Sequence, residues 1–291
     1  MERTYQIFTD TTTDLTPQWM EENQVGWLAH GLVIDGKEIK DDFGKTVPPQ
    51  EFYARVRSGL MPTTTQVDMP TFLNAYEPAL QQGLDVLYIG FAANMSGTFG
   101  TSQMIAKELM EKYPGRRVLS FDTGAASMGQ GIIVMEAVRL QQAGMPLDEL
   151  MEELEKLEQT ACHFFTVDDL NHLYRGGRLS RGSAFFGTLV GIKPVMYLSA
   201  EGKLTPLAKV RGRRQAVEEL CRLTKEYILD AEDQVIYIAH ADCLADAQML
   251  EQMVREQIKP RDVEIRYLTP IIGTHAGPGT LAIFCFGRAR I

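Results

Sequence analysis

The sequence is poor in the features that mark an exported or membrane-bound chain. Four cysteines occur in 291 residues, Cys162, Cys221, Cys243 and Cys285, and no two are close enough for a Cys-x-x-Cys pair. They fall in segments patterned as strands or helices, where a free cysteine acts as a small hydrophobe. That predicts a reducing compartment, the cytoplasm, and no disulfide framework. The N-terminus, Met1-Glu2-Arg3-Thr4-Tyr5, lacks the apolar run of a secretory leader. A bilayer span needs about 20 consecutive apolar residues, and the best stretch, Phe185 to Leu198, is interrupted by Lys193-Pro194. Positive charge is also short: 29 Lys and Arg face 38 Asp and Glu, for a net charge of −9 and a pI near 5.2. An acidic chain repels phosphate backbones, so no nucleic-acid partner is expected.

Several catalytic signatures are missing too. Gly44-Lys45-Thr46 has the last three residues of a Walker loop, but Ile39 stands where its first glycine belongs. Gly124, Gly129 and Gly131 have the wrong spacing for a dinucleotide fingerprint. No His-Glu-x-x-His motif and no cysteine–histidine cluster points to a metal, and no cofactor is implied. There is no Gly-x-Ser-x-Gly elbow and no Ser-x-x-Lys. Together these gaps favour a binding protein over a self-sufficient enzyme.

What is present is a hydrophobic content of 45%, ample for a packed core, in a chain long enough for two domains. The first half alternates short apolar runs with amphipathic ones. Strands are expected at Tyr5–Thr9, Trp27–Ile34, Val86–Phe91 and Arg117–Phe121. Helices are expected from Pro17, at 48–58, from Asp68 to Gln82, at 99–113, 126–142 and 146–158. This alternation implies βαβ units and a parallel sheet. The second half mixes strands, a hairpin at Glu201-Gly202 and helices, the first of them a short one from Asp168 to Tyr174. The fold class is therefore α/β, with an N-terminal parallel-sheet domain over 1–160, a C-terminal α+β domain over 161–291, and a ligand cleft between them.

Four polar features fall in segments expected to be loops. Thr63-Thr64-Thr65-Gln66 follows Pro62; any one threonine there reads equally as a turn residue. Ser96-Gly97-Thr98 lies between a strand and a helix, where it can cap the helix or donate to an anion. Gly176-Gly177-Arg178 offers a sharp backbone turn and a cation, for a ligand carboxylate or a structural Asp. Gly273 to Gly279 is a glycine-rich loop that presents His275. A basic cluster, Lys209, Arg211, Arg213 and Arg214, is either a docking patch or a solvated helix start.

In order and spacing these segments resemble the DegV family of bacterial fatty-acid-binding proteins. The resemblance runs nearly end to end. It takes in Phe8-Thr9-Asp10-Thr11-Thr12-Thr13-Asp14-Leu15, Pro62 to Gln66, and Met95-Ser96-Gly97-Thr98-Phe99. It continues through Val167-Asp168-Asp169-Leu170, Gly176-Gly177-Arg178, Gly191-Ile192-Lys193-Pro194 and Gly273 to Gly279. Four positions depart: Thr65 replaces a serine, Val67 replaces a proline, Gly100 replaces a glutamine, and Thr11 replaces a serine. No departure removes a carboxylate donor.

The resemblance implies a two-domain fold with a fatty acid in the cleft, its carboxylate held by Thr64 and Ser96, with His275 and Arg178 in the same pocket. Thr65, Gly97 and Thr98 would support it. The ligand chemistry demands such donors, because an ion stripped of water without partners is very costly. The acyl tail gains about 0.8 kcal/mol per buried CH₂, so an apolar tunnel is expected, with Phe185, Phe186, Leu189 and Val190 as candidates on a helix over the cleft. Similar proteins present the acid to a separate fatty-acid kinase, whose acyl phosphate product feeds phospholipid synthesis. The basic cluster would then meet the kinase, or transiently an anionic membrane surface. Two alternatives stand beside this reading. One is a serine-dependent acyl hydrolase or transferase using Ser96, His275 and an acid such as Asp10. The other is a binding module for another small acid.

Overall fold

The computed structural model describes residues 3–179 and 191–290. Thirteen strands and ten α-helices are found among them. The N-terminal part contains β1 (Tyr5–Asp10), α1 (Pro17–Glu22), β2 (Gly26–Leu28), β3 (Gly31–Ile34), β4 (Lys37–Lys40), α2 (Pro49–Arg57) and β5 (Thr63–Thr65). It continues with α3 (Met69–Gln81), β6 (Asp85–Gly90), α4 (Thr98–Lys112), β7 (Val118–Asp122), α5 (Met128–Gln142) and α6 (Leu147–Thr160). Then come β8 (Ala161–Thr166), α7 (Asn171–Arg175), β9 (Ile192–Leu198), β10 (Leu204–Arg211) and α8 (Arg213–Tyr227). The chain closes with β11 (Val235–His240), α9 (Leu244–Gln257), β12 (Asp262–Tyr267), α10 (Pro270–Ala276) and β13 (Leu281–Phe286).

Local chemistry sets many of these bounds. Thr16 caps α1 by accepting from the Trp19 N–H, with Pro17 in the first turn. Asp68 does the same for α3 through Thr71. Asp35 and Gly36 both have positive φ, 50° and 75°, as a two-residue hairpin turn requires.

The expected parallel sheet is present, in the order β2-β1-β6-β7, with every pairing parallel. The later strands form a six-stranded sheet, β10-β9-β8-β13-β11-β12, antiparallel except for β11 on β12. Strand alternation gives each sheet two apolar faces. In the first sheet, Phe8, Val86 and Tyr88 face α3 and α4, while Ile7, Leu87 and Ile89 face α5. In the second, Phe164 and Ile283 face α8 and α9, while Phe165 and Phe284 face α5. Helix α5 thus lies between the two sheets, which explains why Met128 to Val134 is buried without interruption rather than on one stripe.

Four expectations change. The run Trp27–Ile34 is not one strand: Ala29-His30 breaks it, and β2 joins the parallel sheet while β3 joins a third sheet, β4-β3-β5. The loop expected at 61–66 contains strand β5, which pairs with the edge of β3. The glycine-rich loop expected at Gly273–Gly279 is in its first part the end of helix α10. Pro270 starts that helix and Gly277, at φ 80°, stops it. Helix α7 begins at Asn171 rather than Asp168, because the Asp169 carboxylate takes the Asn171 N–H. The tunnel candidates Phe185, Phe186, Leu189 and Val190 lie outside the described residues.

Candidate functional site

Loops after β1, β6 and β7 leave the parallel sheet at its carboxyl end, where open α/β sheets bind ligands. There they meet α10 and the inner face of the six-stranded sheet. A cavity fills this junction, walled by Phe91, Phe165, Leu198, Ile272, Ala282 and Phe284, with a few polar groups. The space open to the centre of a water molecule is about 110 Å³. One water needs about 10–15 Å³ by that measure, so the cavity suits a ligand of many atoms. Thr64, Ser96, Arg178 and His275 all border it.

The strand pairing of β5 decides which threonine faces inward. Thr64 Oγ1 lies 2.8 Å from His275 Nε2. Thr65, one residue on, points to the other face and donates to the Glu38 carboxylate at 2.8 Å; it does not border the cavity. Ser96 Oγ donates to Thr98 Oγ1 at 3.0 Å and accepts the Thr98 N–H at 3.2 Å. Thr98 in turn accepts the Val67 N–H, so it backs Ser96 rather than lining the cavity. Gly97 admits the Gln66 carboxamide, whose oxygen would lie 2.2 Å from an added Cβ.

Arg178 is half-buried. Its Nε donates to the Met95 carbonyl at 3.1 Å and its Nη1 to the Gly176 carbonyl. Burial lowers its pKa from the ordinary value, but arginine stays charged. His275 is pushed down to about 3, first by burial and then by the Arg178 and His30 charges. It is therefore neutral at pH 7. Its Nδ1 has no hydrogen-bond partner among the described residues and packs on Gly176, where an added Cβ would lie 2.4 Å away.

The sequence reading missed five polar residues that also border the cavity: Thr12, His30, Ser127, His163 and Thr280. Only the polar run Asp10–Asp14 at a strand end gave a signal. Asp10 is buried, yet its pKa falls to about 2: burial raises it, and the His30, Thr12 and Tyr88 contacts outweigh that. Tyr88 Oη donates to it at 2.5 Å, and His30 Nε2 stands 3.6 Å away. Asp14 goes the other way, to about 7, because burial exceeds the help from Ser127 and Thr269. Ser127 Oγ donates to Asp14 from a backbone at φ 58°, ψ −146°, a region that L residues rarely occupy.

The basic cluster divides. Arg213 is 19% exposed and pairs with Asp246 at 2.9 Å and Asp168 at 3.6 Å. Arg214 is exposed and pairs with Glu218 one helical turn on. Lys209 and Arg211 lie exposed on alternate positions of β10.

A mostly apolar cavity bordered by hydroxyls, a neutral imidazole and a guanidinium has the make-up of a small-molecule binding site. The profile of the DegV family matches residues 4–288, and the chain belongs to that family. A DegV domain-containing protein of Clostridium perfringens is 38% identical over 284 residues, 98% of each chain. Among solved structures, a DegV family protein from Thermus thermophilus, described by its fatty-acid binding, aligns with TM-score 0.89 and 29% identity, covering 98% of this chain and 100% of that one. A fatty-acid-binding DegV family protein from Streptococcus agalactiae aligns with TM-score 0.85 and 29% identity, covering 99% and 100%. Among the described residues no group of side chains could hold a metal, and no helix is long and apolar enough to cross a membrane.

Proposed function

We propose that this chain binds a long-chain fatty acid, with the carboxylate at Thr64 and Ser96 and the acyl chain along the inner face of the six-stranded sheet. The observation that carries the reading is the Thr64–His275 pair in the wall of a mostly apolar cavity. A neutral imidazole has one N–H. If Nε2 carries it and donates to Thr64 Oγ1, the threonine proton is free to point at a carboxylate oxygen. Ser96 offers a second hydroxyl and Arg178 a positive charge.

The chain divides at 160/161 in this reading, where α6 ends and β8 begins. It works in the cytoplasm as an acyl-presenting subunit: a separate kinase phosphorylates the bound carboxylate. Lys209, Arg211 and Arg214, all exposed in the C-terminal part, suit an acidic face of that partner or an anionic lipid surface. The hydrolase reading has less support. The hydroxyl of Ser96 is turned to Thr98, His275 Nε2 to Thr64, and no acid among the described residues orients His275 Nδ1.

Native mass spectrometry with lipid extraction tests the reading, on the protein purified from cells beside a Thr64→Ala/Ser96→Ala double variant. One fatty acid per chain, lost in the variant, is the expected result. Absence of any fatty acid in the wild type, even after incubation with saturated and unsaturated acids, overturns it.

A further inference from the structure

The antiparallel register of β13 on β8 sets Cys285 directly opposite Cys162. Two positions outward, the Gly287 N–H donates to the Thr160 carbonyl at 2.8 Å. Hydrogen-bonded pairs recur at every second position of an antiparallel ladder, so Cys162 and Cys285 occupy one. Opposed Cα atoms there are about 5.5 Å apart, close to the commonest separation across a disulfide. Both side chains point to the same face, beneath α8, and both are free thiols, 4% and 2% exposed.

The two sulfurs differ in chemistry. A hydrogen bond with Cys285 lowers the Cys162 pKa; burial opposes this, and the Arg290 guanidinium adds to it. The same hydrogen bond, and then burial, push Cys285 up. Access comes from the end of the ladder, since β8 starts at Ala161 and β13 stops at Phe286, where local fraying is easiest.

We propose that Cys162 and Cys285 are a site of reversible oxidation, at which hydrogen peroxide closes a cross-strand disulfide. The Cys162 thiolate attacks one peroxide oxygen. The O–O bond breaks, and hydroxide leaves and takes up the thiol's proton as water. Cys162 is then a sulfenic acid. Cys285 attacks its sulfur, the S–O bond breaks, and a second water leaves with the Cys285 proton. Two thiols and one peroxide become one disulfide and two waters, and a dithiol reductant reverses the change. The bond ties together two strands whose opposite faces, through Phe165 and Phe284, wall the cavity.

Peroxide treatment of the native wild-type protein, followed by thiol counting under denaturing conditions, intact mass and non-reducing peptide mapping, tests this. Expected are a fall from four thiols to two, a mass loss of about 2 Da, and a single linked peptide joining β8 to β13, all reversed by dithiothreitol. A Cys221→Ala/Cys243→Ala variant should still form the link, and Cys162→Ser should not. Four surviving thiols, a link through Cys221 or Cys243, or oxygen addition without a link would each overturn the proposal. The wild-type map decides it even where a variant fails to fold.

Discussion

Thr64 and His275 stand 211 positions apart in the chain, and their side chains meet at 2.8 Å. Thr64 comes from a three-residue strand and His275 from the last turn of a seven-residue helix. Each is placed by an element that would not exist alone: β5 needs the edge of β3, and α10 packs against α2, α7 and β5. This part of the cavity wall is a product of tertiary packing.

Removing one hydroxyl from this wall should weaken fatty-acid binding without unfolding the protein. Hydrogen bonds to a charged group are worth about 1.5–3 kcal/mol, so Thr64→Val or Ser96→Ala should raise Kd roughly ten- to a hundredfold. Displacement of a fluorescent fatty acid measures this, with thermal melting as the control for folding.

In the proposed binding mode His275 is a neutral donor rather than a cation. His275→Gln keeps a donor near the Nε2 position and should cost less than about tenfold in affinity. His275→Ala frees Thr64 to rotate and should cost more. Equal losses from the two variants would remove the donor role. Because burial drives its pKa to about 3, below the unfolded value of about 6.5, the unfolded chain binds the extra proton between those limits. His275 therefore favours the folded state above pH 6.5, and that contribution is lost as the pH falls toward 3. Denaturant titrations of wild type and His275→Gln over pH 4–7 should converge toward the acid end.

Asp14 has the opposite sign. Its folded pKa of about 7 exceeds the ordinary 3.8, so the folded state holds the extra proton between these values. Its contribution is complete below pH 3.8 and is lost as the pH rises through 7. Asp14→Asn mimics the protonated carboxyl. The stability of the variant relative to wild type should grow between pH 5 and 8 in urea melts; a constant difference would contradict the shift.

Gly176→Ala tests packing alone. The residue has an ordinary φ of −71°, so alanine is not strained there, but its Cβ would lie 2.4 Å from His275 Nδ1. Overpacking of this kind costs about 1–3 kcal/mol. Melting should drop and fatty-acid affinity should fall with it, whereas Gly177→Ala, at φ 74° with no neighbour near its Cβ, should cost stability and leave affinity nearly unchanged.

The sequence by itself determined whatever depends on neighbours within a few positions. Caps at Thr16 and Asp68, the Asp35-Gly36 and Glu201-Gly202 turns, and the alternation of apolar runs with amphipathic ones placed most strands and helices and the parallel sheet. They also marked Thr64, Ser96, Arg178 and His275 as candidate polar groups, though Thr64 lies in β5 and His275 in α10. Only the tertiary structure decided the rest. A strand of three threonines carries no hydrophobic period and forms because a partner edge accepts it. Its pleat then selects Thr64 over Thr65 for the cavity. A short helix containing Gly273 has little intrinsic propensity and forms because it is buried. The opposite shifts of Asp10 and Asp14, four residues apart in one polar run, follow from how many donors reach each buried carboxylate. Those donors come from His30, Tyr88, Ser127 and Thr269, brought together by the fold across more than two hundred residues.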